Sequence, residues 1–302
     1  MTTIDKQTIR QLVQESFAET KTNNFGAIGH PEEKIWAKID CGFAAGDDPL
    51  YPYYKKEIGD FFWTPAEAYK KFYPDAQVED KDLTVLSIVF ASDDHTRELQ
   101  RKQKKAPNFR WLYARNCFET IEGELCDHII ERLAKAGIKA VAPDMSPQWG
   151  WRQSEKFGLS CNWSHRHSAY IAGLGTWGLC DGMITRLGKA VRFTTLVLET
   201  KLPADPRPYK DYHYWCLFYR TGKCDSCIKA CPAGAISKDG HNKDLCWEYI
   251  QDFKRSYIGS NALNADGPFG CGLCQGNVPC QKGVPKGLDD YDGQDSSGNA
   301  AN

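Results

Sequence analysis

Eight of the 13 cysteines in this 302-residue chain lie between residues 206 and 285, as Cys216, Cys224, Cys227, Cys231, Cys246, Cys271, Cys274 and Cys280. Two pairs have CxxC spacing, Cys224/Cys227 and Cys271/Cys274, which places two thiolates on one turn of chain. Thiolates gathered in this way bind soft metal centres, and eight is the number needed for two four-thiolate sites. One tetrahedral zinc ion on the two CxxC pairs is the alternative, but it leaves four nearby cysteines without a role.

The run Cys224-x2-Cys227-x3-Cys231-Pro232 favours iron over zinc. It has the ending of a bacterial ferredoxin segment, in which the cysteine before proline ligates the other cluster. Crossed pairing assigns Cys216, Cys224, Cys227 and Cys280 to one [4Fe-4S] cluster and Cys231, Cys246, Cys271 and Cys274 to a second. Two spacings are longer than usual: Cys216 precedes Cys224 by eight positions, and Cys274 precedes Cys280 by six. The other five cysteines (Cys41, Cys117, Cys126, Cys161, Cys180) are scattered and read as ordinary small buried residues.

A second group of reactive side chains, Cys161, His165, Arg166, His167 and Tyr170, leads into Gly173-Leu174-Gly175-Thr176-Trp177-Gly178. On a helix, His167 and Tyr170 share a face, with Arg166 and Tyr170 as the alternative pairing. Histidine, or tyrosine beside arginine, can deliver a proton. Trp149, Trp151, Trp163 and Trp177 surround the group and suit either a planar cofactor or a core. The glycines match G-x-G-x-x-G, but a dinucleotide fingerprint must follow a strand, and this one follows a helical pattern.

The surrounding elements are readable from periodicity. Ile9, Leu12, Val13 and Phe17 predict an opening amphipathic helix over residues 4–17. Residues 25–80, with Pro49, Pro52, Pro65 and Pro74, read as short helices and loops. Residues 83–90 and 191–198 read as buried strands. Ile121, Leu125, Ile129 and Leu133 mark a helix over 117–136, stopped by Gly137 and followed by a strand over 138–142. A further helix is expected over 164–172. Residues 201–208, with three prolines, read as a linker, and residues 101–105 as a solvated basic run. Strand, helix and strand in succession place the first part of the chain in the α/β (α+β) class.

Bulk properties narrow the function. Lysine plus arginine number 38 against 39 aspartate plus glutamate, so the formal charge of −1 excludes a global electrostatic grip on nucleic acid or anionic membrane. No apolar run is long enough to cross a bilayer, and the first residues have no export-signal pattern, so a cytoplasmic protein is expected.

Ala172-Gly173-Leu174-Gly175-Thr176-Trp177-Gly178, Cys231-Pro232-Ala233-Gly234-Ala235-Ile236, Cys246 and the opening Tyr113-Ala114-Arg115 together resemble the epoxyqueuosine reductase and reductive dehalogenase superfamily. The resemblance spans residues 110–285. It implies a nitroreductase-like cofactor and substrate domain over 1–205 and a two-[4Fe-4S] ferredoxin-like domain over 206–287, followed by an acidic tail over 288–302. It also implies a corrinoid (cobalamin) near Gly173, Gly175, Thr176, Trp177 and Gly178. The clusters would be charged by a ferredoxin or flavodoxin, and the cobalt would reductively remove a hydroxyl, epoxide oxygen or halide from a small organic substrate. A corrinoid-free electron carrier or activator of a partner protein is the alternative. The register of the family's proton-donating aspartate falls at Leu159-Ser160-Cys161, and no carboxylate lies between Glu155 and Asp181. Acid chemistry is therefore expected from Cys161, His165, Arg166, His167 or Tyr170, and a tRNA-bound substrate is not expected.

Overall fold

The computed structural model describes residues 4–209, 211–257 and 262–288. Helix α1 (Lys6–Glu19) opens them, capped by the Asp5 side chain, which accepts from the Thr8 amide. Strand β1 (Trp36–Ala45) follows, then helices α2 (Leu50–Ile58) and α3 (Pro65–Tyr69), strand β2 (Thr84–Ser92), and helices α4 (Asp94–Arg101), α5 (Phe109–Asn116) and α6 (Phe118–Lys135). Next come strand β3 (Ala140–Val141), the hairpin β4 (Trp151–Ser154) and β5 (Gly158–Cys161), helix α7 (His165–Ile171), the hairpin β6 (Gly175–Trp177) and β7 (Met183–Thr185), and strand β8 (Val191–Leu198).

Four strands form one sheet in the order β1-β2-β8-β3, and every neighbouring pair is antiparallel. The fold is therefore of the mixed helix-and-sheet class in its α+β form. The central strand β2 is buried at every position, which explains why its sequence is a near-continuous apolar run rather than an alternating one. Leu86, Ile88 and Phe90 pack with Ile9 and Val13 of α1 and with Ile121, Leu125, Ile129 and Leu133 of α6. Val85 and Val89 face the opposite core, which holds Tyr51, Tyr54, Tyr69, Tyr170, Trp215, Cys227 and Cys280. Residues from the cysteine-rich segment thus share a continuous core with the sheet.

The opening helix, both long strands and α6 lie where periodicity places them, and Gly137 adopts φ +83 beyond the end of α6. The strand expected over 138–142 shortens to the two residues of β3, at a sheet edge. The reading of residues 25–80 as helices and loops needs correction, because it passes over the ten-residue β1. Lys38 and Asp40 interrupt the apolar pattern there, and as an edge strand β1 tolerates the exposure that hides its signal. The basic run over 101–105 is largely exposed, as expected. Of the acidic tail over 288–302, all but Leu288 lies outside the described residues.

The cysteine-rich segment contributes helices α8 (Leu217–Thr221) and α9 (Ser226–Lys229), the two-residue hairpin β9 (Ile236–Ser237) and β10 (Gly240–His241), and helices α10 (Lys243–Tyr257) and α11 (Leu273–Gly276). Gln100 of α4 donates to the Cys271 carbonyl (2.9 Å), Gln281 donates to the Arg97 carbonyl (2.9 Å), and the Lys189 amide donates to the Cys280 carbonyl (2.8 Å). These bonds place two of the candidate ligands by anchoring their backbone to the first part of the chain. Gly272, between Cys271 and Cys274, has φ +62, and a Cβ there would lie 2.3 Å from the Trp111 ring. Glycine is required at that position for both reasons.

Candidate functional site

All 13 cysteines are free thiols. Cys216 precedes α8, Cys224 lies in the loop after it, Cys227 is in α9, and Cys280 follows α11. These four residues, from three separate stretches of chain, line one cavity together with Lys189, Ile184, Phe218 and Val278. Four soft donors around one mainly apolar space suit a [4Fe-4S] cube. Of the second expected set, Cys231 and Cys246 lie near Cys271, and Cys271 in turn lies near Cys274. The donor chemistry fits a cluster in both places. His241 hydrogen-bonds both Asp181 and Cys246, and these two contacts push its pKa up to about 10.

Cys180 is a buried core residue, as its isolation in the sequence suggested, and it also meets the candidate ligands. Its thiol is within hydrogen-bonding reach of Cys227 from the first set and Cys274 from the second, and Lys189 Nζ lies 3.3 Å from it. Lys189 is only 3% exposed and faces Cys180, Cys280, Cys227 and Cys274. No local spacing marks either residue, because the β6–β7 hairpin and the turn before β8 carry them to the cysteines only in three dimensions.

The five residues expected to supply acid chemistry do not form one constellation. Cys161 ends β5 with its thiol 2.9 Å from the Trp163 carbonyl, and burial raises its pKa. Arg166 is exposed, donates to the Asp181 carbonyl and lies over the Trp177 ring, with its guanidinium carbon 5.0 Å from the ring centre. His167 bonds Ser164 Oγ (2.8 Å) and is ringed by Tyr54, Phe62 and Trp177. Burial, with help from Arg166 and Lys243, pushes its pKa down to about 3, so the imidazole is neutral. Tyr170 stacks on Tyr212 at 4.6 Å, and its basic neighbour is Arg207, not Arg166. Burial drives its hydroxyl pKa upward.

His165 turns the other way, toward two carboxylates that sequence reasoning missed. Its Nε2 lies 3.5 Å from Asp144 and 3.7 Å from Glu122, while Nδ1 is 2.8 Å from Thr195 Oγ1. Burial opposes the charge on this histidine, but Asp144 and Glu122 outweigh it and raise the pKa. Glu122 itself is pushed up to about 8 by burial and by Asp144. It occupies a helix position on the apolar side of α6, where one carboxylate in an amphipathic pattern gives no local signal.

The segment 172–178 is packed tightly against the rest of the chain. A Cβ on Gly173 (φ +76) would lie 2.4 Å from the Pro206 carbonyl oxygen, one on Gly175 would lie 2.7 Å from that of Ile184, and one on Gly178 would lie 2.8 Å from Lys189 Nζ. Thr176 is fully buried and accepts from the Trp215 amide (3.0 Å), while Trp177 is half-buried. The close approaches that demand glycine here are thus made by the protein itself. An open cleft of about 480 Å³ lies beside the β4–β5 hairpin, walled by Trp63 and Trp149, with Lys71, Arg152, Gln148 and Asn162 at its edge.

No family model matches the chain, and no curated protein does. Among solved structures, it is similar to an epoxyqueuosine reductase from Bacillus subtilis, with TM-score 0.44 and 19% identity over 94% of this chain and 68% of that one. A second epoxyqueuosine reductase, determined with an epoxyqueuosine-modified tRNA-Tyr stem loop, gives TM-score 0.46 and 18% identity over 93% and 68%. A catabolic reductive dehalogenase in complex with 3-bromo-4-hydroxybenzoic acid gives 0.46 and 12% over 93% and 38%. These structural neighbours are epoxyqueuosine reductases and a reductive dehalogenase.

Proposed function

We propose that this chain is a two-[4Fe-4S] oxidoreductase that receives electrons from a ferredoxin or flavodoxin and passes them to an acceptor. The observation that carries this reading is the convergence of Cys216, Cys224, Cys227 and Cys280 on one cavity. When bound, such cubes supply single electrons at potentials reaching down to about −700 mV. The chain's own residues surround them in an asymmetric way. Lys189 brings a buried positive charge to the first set, Cys180 occupies the space between the sets, and His241 hydrogen-bonds Cys246 in the second. Aliphatic and aromatic side chains (Ile184, Phe218, Val278) line the first set. The test is anaerobic reconstitution followed by iron and sulfide analysis and a reductive titration read by electron paramagnetic resonance. About eight irons per chain and two one-electron steps are expected. About four irons, or tightly held zinc, would overturn the reading.

The electron acceptor divides two versions of this function. A neutral His167 and a buried, stacked Tyr170 are poor proton donors, which favours electron delivery to a partner protein over protonation of a small substrate at this helix. The second version is a cobamide-dependent reductase acting on a small organic substrate, and the aromatic cleft of Trp63 and Trp149, with two cationic side chains, favours it. Cobamide binding by the cluster-loaded protein separates the two: a corrin absorbance that persists through gel filtration selects the second.

A further inference from the structure

Glu122 on α6, Asp144 in the short turn Pro143–Met145 and His165 at the start of α7 bring one donor atom each into a common space, all within 4.8 Å of one another. The separations of Nε2 from the carboxylate oxygens, 3.5 and 3.7 Å, are ion-pair contacts longer than an ordinary N–H···O bond. They match the edge of a coordination tetrahedron, which is about 3.4 Å for metal–ligand bonds of about 2.1 Å. Glu122 is 4% exposed, and its Oε1, the atom nearest His165, has no hydrogen-bond partner. Oδ1 of Asp144 is likewise buried without a partner. Among the described residues, neither carboxylate is ion-paired to lysine or arginine. His165 is the cationic partner that both buried carboxylates share.

We propose that Glu122, Asp144 and His165 form a three-ligand site for a divalent transition-metal cation, separate from the cysteine centres. Two carboxylates and the His165 imidazole, once the cation displaces the proton that the carboxylates hold on it, offer the mixed oxygen and nitrogen donors that Mn²⁺, Fe²⁺ and Zn²⁺ accept. The outer contacts suit this role. Thr195 Oγ1 receives the Trp163 indole N–H (2.7 Å) and engages His165 Nδ1 (2.8 Å), which orients Nε2 toward the carboxylates. Metal-bound histidines are held by such a bond on the other ring nitrogen. The Asp144 and His165 side chains are 14% and 21% exposed, so the group lies at the margin of the core. The cation would tie α6, the turn and α7 together and leave one position for water or a substrate oxygen.

Mn²⁺ is the first probe because it has little affinity for thiolates. Titrated into anaerobic, cluster-loaded protein washed with chelator and followed by the resonance of free Mn²⁺, it should bind with one equivalent per chain. Zn²⁺ should compete for the same equivalent. Glu122→Gln and Asp144→Asn should each weaken binding by at least about tenfold, with the cluster absorbance unchanged. Melting curves guard against a folding defect. In chelator, Glu122→Gln should melt close to the wild-type temperature, because a carboxyl with its pKa raised to about 8 is already largely uncharged at neutral pH; with Mn²⁺, only the wild type should gain stability. Wild-type protein that binds neither Mn²⁺ nor Zn²⁺, or variants that bind as tightly as wild type, would overturn the proposal. Neither result depends on electron transfer by the clusters.

Discussion

Lys189 Nζ lies 3.3 Å from the Sγ of Cys180, and among the described residues this buried lysine makes no ion pair with a carboxylate. Its charged neighbours are four thiols: Cys180, Cys280, Cys227 and Cys274. A buried ammonium is costly unless it is compensated, and thiolate-ligated iron–sulfur centres carry the required negative charge. The lysine should therefore favour the reduced, more negative state of the first cluster. Lys189→Met should lower that cluster's midpoint potential by about 60 mV or more, a tenfold change in a one-electron equilibrium. Potentiometric titration with resonance detection measures the shift, and an unchanged potential would remove the lysine from this role.

Cys180 and Cys231 should separate cleanly by iron content. Cys231→Ala removes a ligand from the second set and should reduce iron from about eight to about four per chain, leaving the first cluster's signal intact. Cys180→Ser should retain both clusters, because the first set already has four cysteines around its cavity. Loss of a whole cluster in Cys180→Ser would make Cys180 a ligand and displace one of those four.

Gly173→Ala tests what the glycines at 172–178 are for. The new Cβ meets the Pro206 carbonyl at 2.4 Å, with φ at +76. It should cost about 2 kcal/mol or more of stability. The loss should appear in thermal melts of protein that has never been exposed to a cobamide.

His167 should contribute to acid lability. Its pKa falls from the ordinary 6.5 to about 3 on folding, so the unfolded chain takes up its proton first. The stability is complete above pH 6.5 and is lost progressively as pH falls toward 3. Denaturant unfolding between pH 7 and 4 should show a shallower decline for His167→Gln than for wild type.

Asp205 joins the segment before the cysteines to the first helix. It accepts from Lys6 Nζ (2.7 Å), from Arg10 and from the Phe43 amide (3.0 Å). Burial works against its charge, but these donors hold the carboxyl below its ordinary value of 3.8. Its contribution is therefore present above pH 3.8 and lost as pH falls through the lower folded value. Asp205→Asn should destabilise the protein by about 1–3 kcal/mol at neutral pH, as chemical denaturation would show.

The amino-acid sequence by itself determined the features that depend on near neighbours. The amphipathic period of α1 and α6, the doubly buried strands β2 and β8 and the Cys224, Cys227, Cys231 spacing are each encoded within a few residues. An edge strand such as β1 was hidden because its charged positions face solvent and break the local pattern. Tertiary structure alone decided which side chains meet. It brought Lys189 and Cys180 between the two cysteine sets, turned His165 away from Tyr170 toward Glu122 and Asp144, and packed Gly173 against Pro206. These contacts join residues distant in sequence, and their energies arise from charge compensation and close packing in a shared core, which no local period records.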